Sequence, residues 1–220
     1  MNDNFIHLLW LSSFYLILFG TAELLYRVAK IHVEYTRKFV HIGTGLLTML
    51  FPLMFTHYGW VIFICAAFFV VLSISLKFGF LPSINAIQRK SHGSLSYPVV
   101  VVIAFMFYYF KTKGVSHEYF YFYLPVLTMA LADPLAAYFG SKFPRGKYSF
   151  GQEQKTLTGS LAFFIVALAL SFFLIPNPNL FFLLVIPLVA TVTEAITSKG
   201  LDNLTIPVSV IAVLYFYPNV

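Results

Sequence analysis

The sequence predicts an all-α fold, a polytopic integral membrane helical bundle of about 7–8 transmembrane helices. Of its 220 residues, 60% are hydrophobic and only 10% charged, against roughly 25% charged in a soluble domain. Apolar segments of 16–20 residues recur along the whole chain, the length at which a helix crosses a bilayer.

Eight spans are expected, near 5–25, 39–56, 58–77, 95–110, 118–139, 157–175, 180–197 and 203–218. The first lacks a basic leader and an A-x-A-like cleavage site and reads as a retained span. The last is short and opens on DNLTIP, so it is expected to be tilted or partly re-entrant. Basic residues alternate between loops: Arg27, Lys30, Arg37 and Lys38 after span 1, Lys77, Arg89 and Lys90 after span 3, Lys142, Arg145, Lys147 and Lys155 after span 5, Lys199 after span 7. Of the 14 Lys and Arg, only Lys111 and Lys113 fall on the other side. The positive-inside rule makes the basic side cytoplasmic and both termini external. The formal charge of +6 is thus mostly a topology signal, and nucleic acid is excluded as a partner.

Cys65 is the sole cysteine, which excludes a disulfide framework and a Cys-based metal site. No repeat, low-complexity tract or long linker divides the chain, so residues 1–220 read as one integral membrane domain. His7, His32, His57 and His117 show no ligand spacing and read as structural.

The polar features fall on the cytoplasmic side: RKFVHIG (37–43), HGSLSYP (92–98), LADPLAAYFG (131–140) with the following loop, and EAITSKGLDNLTIP (194–207). Convergence on one side is what a cleft at the membrane surface would produce. For entries at Tyr119 and Leu180, Asp133 and Glu194 each lie 14 residues in, about 21 Å at ~1.5 Å per residue. An ionised carboxylate there is costly unless paired or metal-bound; the partners on offer are Lys155, Arg37, Lys38 or a divalent cation shared with phosphate. Bland readings stand beside these. Asp133 can be an N-cap with Pro134 opening a short helix, Asp202-Asn203 a cap of span 8, Arg37 and Lys38 flanking anchors, and His41 a packed side chain.

The loop after span 5 holds Gly140, Ser141, Lys142, Arg145, Gly146 and Lys147, then Gly151, Lys155, Thr156, Thr158, Gly159 and Ser160. It fails the Walker A spacing. Its cations, glycines and the hydroxyl-rich start of span 6 are nonetheless parts that hold a polyphosphate, and nearby acids suit Mg²⁺.

Four pieces, RKFVH (37–41), GSLSYP (93–98), DPLAAYFGSKFPRGK…KTLTGS (133–160) and E…GLDNLTIP (194–207), resemble the CTP-dependent lipid-alcohol kinases: dolichol kinase, phytol kinase and yeast-type diacylglycerol kinase. The third block is also similar to that of phosphatidate cytidylyltransferases; DNLTIP favours the kinases. The resemblance implies a CTP and Mg²⁺ site from Asp133, the loop 140–147 with Gly140, Lys142 and Lys147, then Lys155, Thr156, Gly159 and Ser160. Glu194, Asp202 and Asn203 complete it, with Arg37, Lys38 and His41 nearby. Asp133 and Glu194 are the implied metal ligands. Asp133, Glu194, Asp202 and Lys155 are the implied catalytic groups, serving transfer of the γ-phosphoryl group of CTP to a prenol-type hydroxyl presented from the bilayer. The competing readings are a cytidylyltransferase making a CDP-lipid and a non-enzymatic transporter. The expected location is a bacterial plasma membrane with the site facing the cytoplasm; a homo-oligomer is compatible with all of this.

Overall fold

The computed structural model describes residues 3–86, 93–113, 118–150, 153–198 and 200–218. Arg89, Lys90, His92, His117, Gly151 and Lys199, used in the sequence reading, lie outside the described residues. Five helices are long and apolar enough to cross a membrane: Asp3–Arg27, Tyr58–Phe78, Gly93–Lys111, Phe120–Lys142 and Leu157–Leu174. The chain is a membrane protein of nearly all-α architecture. Its contacts gather into two compact units, 1–90 and 91–220.

The first unit holds α1 (Asp3–Arg27), α2 (Val33–Thr48), α3 (Phe51–Met54), α4 (Tyr58–Phe78) and α5 (Pro82–Asn85). Helices α1 and α2 pack closely: a Cβ on Gly43 would stand 2.5 Å from Leu18 Cδ1, and Tyr15 OH meets Thr48 Oγ1 at 3.0 Å. Short α5 docks on both. Ser83 N donates to Glu23 Oε1 at 3.1 Å, Thr36 Oγ1 donates to Ser83 O at 2.6 Å, and Ile84 joins Ala22 and Val40 in the core.

Here the expected span 39–56 is corrected. Helix α2 starts six residues earlier than drawn, at Val33, because His32 caps it by accepting from Glu34 N at 3.3 Å. A hydropathy window registers only the apolar part of a helix and misses such a start. The chain then turns before α3, where Pro52 takes the first-turn position that costs no hydrogen bond. Arg37 and Lys38 therefore sit inside a helix rather than in front of one. The histidines read as structural behave so: His7 Nδ1 meets Met54 O at 2.8 Å and His57 caps α4 through Gly59 N at 3.1 Å.

The second unit holds α6 (Gly93–Lys111), α7 (Phe120–Leu127), a π-helical turn (Thr128–Ala132), α8 (Asp133–Lys142), a β-hairpin, α9 (Leu157–Leu174), α10 (Leu180–Ile196) and α11 (Asp202–Tyr215). Helix α7 with its π turn touches α6, α9 and α11. In this spanning segment, 67% of the apolar window is buried inside the protein, against 44% for α6 and 22% for α9. It is the unit's inner helix. Phe122, Leu124, Val126, Met129, Ala130 and Ala132 are all fully buried.

Among the described residues the hairpin is the one departure from all-α. Strand β1 (Lys147–Phe150) pairs antiparallel with β2 (Glu153–Thr156), Tyr148 opposite Lys155 and Lys147 opposite Thr156. It interrupts what the sequence reading treated as a single irregular loop.

Candidate active site

Asp133 does not cap a helix. Its φ of −63° and ψ of −51° are helical, and no side-chain cap bond is made at the start of α8. The helix runs on from Phe120 to Lys142, so the N-cap reading of Asp133-Pro134 is corrected. The physical reason lies one turn upstream. Pro134 has no N–H, and its ring presses on the carbonyl four residues back; the π turn over Thr128–Ala132 widens the helix at that place. The chain bends its hydrogen-bond ladder instead of ending it. Nor does Asp133 close a lipid-facing wall, since the helix that carries it is the inner one. Asp133 itself is half-buried.

Asp133, Ala136 and Gly140 recur at helical spacing and share one face of α8. That face meets α9. A Cβ on Gly159 would lie 3.0 Å from Ala136 O, and one on Gly140 would lie 2.8 Å from Thr156 Oγ1 and 3.4 Å from Gly159 Cα. The two glycines thus have a packing reason: they bring the helix bearing Asp133 against the start of α9.

Thr156 is the N-cap of α9, extended at φ −135° and ψ 147°, with Oγ1 accepting from Gly159 N at 3.1 Å. Leu157 N donates to Gly146 O at 3.0 Å. Two first-turn amides that would serve an anion are therefore engaged within the chain. Gly146 holds a left-handed φ of +62°, and a Cβ there would collide with the Leu157 side chain at 2.6 Å.

Lys155 leaves β2 and reaches the last turn of α10. Its Nζ lies 2.6 Å from Glu194 Oε1 and also donates to Glu194 O. The two side chains are 12% and 9% exposed, so this is a buried ion pair and, at the same time, a lysine cap on a helix C-terminus. Glu194 Oε2 is buried and finds no hydrogen-bond partner among the described residues. Of the partners the sequence offered to the two intramembrane acids, Lys155 is the one joined to Glu194.

Asn203, in the first turn of α11, donates from Nδ2 to Gly93 O at 2.9 Å, tying DNLTIP to the GSLSYP entry of α6. Asp202 opens α11 and accepts from Asn203 N at 3.1 Å, but the position before the helix is Leu201, with no side-chain cap. The cap reading of Asp202 is corrected as well. Together these contacts collect the start of α6, the end of α8, the starts of α9 and α11 and the end of α10 at one end of the second unit.

Lys142 is exposed and lies on its own helix, donating to Tyr138 OH at 3.1 Å. Lys147 is exposed at the start of β1. Arg37, Lys38 and His41 belong to the first unit, half-buried on α2. Ser160 binds a residue the sequence reading passed over: Tyr148 OH, at 2.6 Å. Glu23 was also passed over; it pairs with Arg27 at 2.7 Å, and the E-x-x-x-R spacing was the available signal.

Among the described residues no three His, Cys, Asp or Glu side chains gather as a metal cage. Mg²⁺ asks a protein for only one or two carboxylates and completes its shell with water and substrate phosphate. The vacant lone pairs of Glu194 Oε2 fit such a ligand.

The chain is similar to the phytol kinase of Synechocystis sp., at 29% identity over 194 residues, covering 85% of this chain and 81% of that protein. No family model and no solved structure matches it. The aligned length is long enough to include most of both units.

Proposed function

We propose that the chain is a lipid-alcohol kinase that uses CTP and Mg²⁺ to phosphorylate a membrane-embedded alcohol of the phytol, polyprenol or dolichol type at the cytoplasmic face. The observation that carries the reading is the buried Lys155–Glu194 pair, set at the end of the unit where α8, α9 and α11 bring their motif residues. A cation of fixed position and a carboxylate oxygen left open are what phosphoryl transfer asks of a protein. The cytoplasmic side of this reading is supported by the basic loops there, through the positive-inside rule. On this reading α2, α10 and α11 also cross, the last two at 17 and 14 residues, completing the eight expected spans.

In the proposed reaction the lipid hydroxyl oxygen attacks the γ-phosphorus. A new O–P bond forms, the bond from that phosphorus to the β–γ bridging oxygen breaks, and CDP leaves with that electron pair. Bound Mg²⁺ supplies charge neutralisation of the triphosphate. Lys155 stabilises the negative charge spread over the transferring group, while Glu194 Oε2 and Asp133 are the groups offered to the metal. Asp202, at the start of α11, is the carboxylate that takes the hydroxyl proton.

Incubating the purified protein with CTP, Mg²⁺, a panel of lipid alcohols and phosphatidate tests this. CDP and a lipid monophosphate are expected in equal amounts. Pyrophosphate with phosphatidate would make it a cytidylyltransferase, and no turnover with any lipid would remove the enzymatic reading.

A further inference from the structure

Tyr148 belongs to none of the motifs that led to the site. It stands opposite Lys155 in the hairpin, so the two side chains leave the same face of the ribbon. Lys147, Ser149 and Phe150 around it are exposed, whereas Tyr148 is half-buried. Its hydroxyl meets Ser160 Oγ at 2.6 Å, in the first turns of α9. From the same face Lys155 reaches Glu194 on α10. Besides these two side chains, the Leu157 N to Gly146 O bond ties the base of the hairpin.

A two-stranded ribbon by itself is marginal in stability and does not hold an orientation. A lysine ammonium rides on a flexible four-carbon stem, so where it ends depends on where β2 is held. The Tyr148–Ser160 bond holds that strand over the start of α9.

We propose that Tyr148 is a positioning residue of the kinase reaction: its hydroxyl, bound to Ser160, fixes the hairpin so that Lys155 stays at the Glu194 end of the bundle. The role rests on the lipid-alcohol kinase reading above. It acts through Lys155 and asks for no contact between Tyr148 and the lipid.

The test uses the full chain in detergent or lipid vesicles, with Tyr148→Phe, Ser160→Ala, Lys155→Ala and the pairwise doubles. Tyr148→Phe should lower kcat about tenfold, the equivalent of one hydrogen bond, and leave the KM for the lipid alcohol unchanged. Ser160→Ala breaks the same bond from the other side and should reproduce that loss, with the Tyr148/Ser160 double no worse than either. In the Lys155→Ala background Tyr148→Phe should cost nothing further. A second readout needs no activity: acylation of Lys155 by an amine reagent, scored by peptide mass against exposed Lys142, should quicken in Tyr148→Phe. Multiplicative losses from Tyr148→Phe and Lys155→Ala, or unchanged Lys155 labelling in an active protein, would overturn the positioning role alone. A wild-type protein inert toward every lipid alcohol would overturn the kinase reading instead, and the labelling would still report on the latch.

Discussion

Lys155 Nζ lies 2.6 Å from Glu194 Oε1 and joins the β-hairpin to the last turn of α10. Both side chains are largely buried, so each is the condition for the other's charge. Taking away one partner leaves an uncompensated ion, at about 3–5 kcal/mol.

Lys155→Ala should therefore lower both the melting temperature and kcat, the latter at least a hundredfold. The double variant Lys155→Met/Glu194→Leu should regain stability without regaining activity, since a packed apolar pair can replace a buried ion pair. Thermal unfolding in detergent and turnover measured on the same preparations separate the two effects.

The glycine contact between α8 and α9 gives a test series. Gly159→Ala meets the Ala136 carbonyl, which is backbone, whereas Gly140→Ala meets the Thr156 hydroxyl. Overpacking should destabilise Gly159→Ala and Gly140→Ala by about 1–3 kcal/mol each. Gly20→Ala is the control, with nothing within 4 Å of its Cβ. Melting temperatures in a common detergent compare the three.

Asn203→Leu removes the amide that donates to Gly93 O. A loss of about 1–3 kcal/mol in stability is expected, with a fall in activity because α11 and α6 are no longer tied where Asp202 and Gly93 begin them. Asn203→Gln, which keeps the donor on a longer stem, should retain more of both.

Membrane orientation can be read by thiol labelling. Cys65 is the sole cysteine and is buried, so a Cys65→Ser background accepts single cysteines cleanly. Arg145→Cys should react with an impermeant reagent only after the membrane is opened, and Asn177→Cys in intact cells. The reverse pattern would put the hairpin outside.

Much of this arrangement was legible in the sequence. Each expected span has a helical counterpart, because apolar length is written plainly in a membrane chain. Asp133 and Glu194 stood out as acids in apolar runs, and Lys155 was among the partners offered. What hydropathy could not separate is lipid from protein as the neighbour of an apolar face, so the inner position of α7 went unseen. The aromatic run Phe120, Tyr121 and Phe122, buried throughout, looks like any lipid-facing segment by composition. The hairpin was missed because its strands are four residues each and polar; the alternation of Tyr148 and Phe150 before Gly151 was its faint signal. A helix start stood beside the functional reading of Asp133 because Asp-Pro commonly is one, and the π turn that absorbs the proline leaves no mark in the sequence.

The central claim is that the γ-phosphoryl group of CTP moves to a lipid alcohol at the Lys155–Glu194 end of the bundle. CTP labelled at either the γ- or the α-phosphate, incubated with Mg²⁺, phytol and the purified protein, tests it when the organic phase is counted. The γ-label should enter the lipid, the α-label should stay in water, and Glu194→Gln should abolish the transfer. The α-label in the lipid phase, or full γ-transfer by Glu194→Gln, would contradict the account.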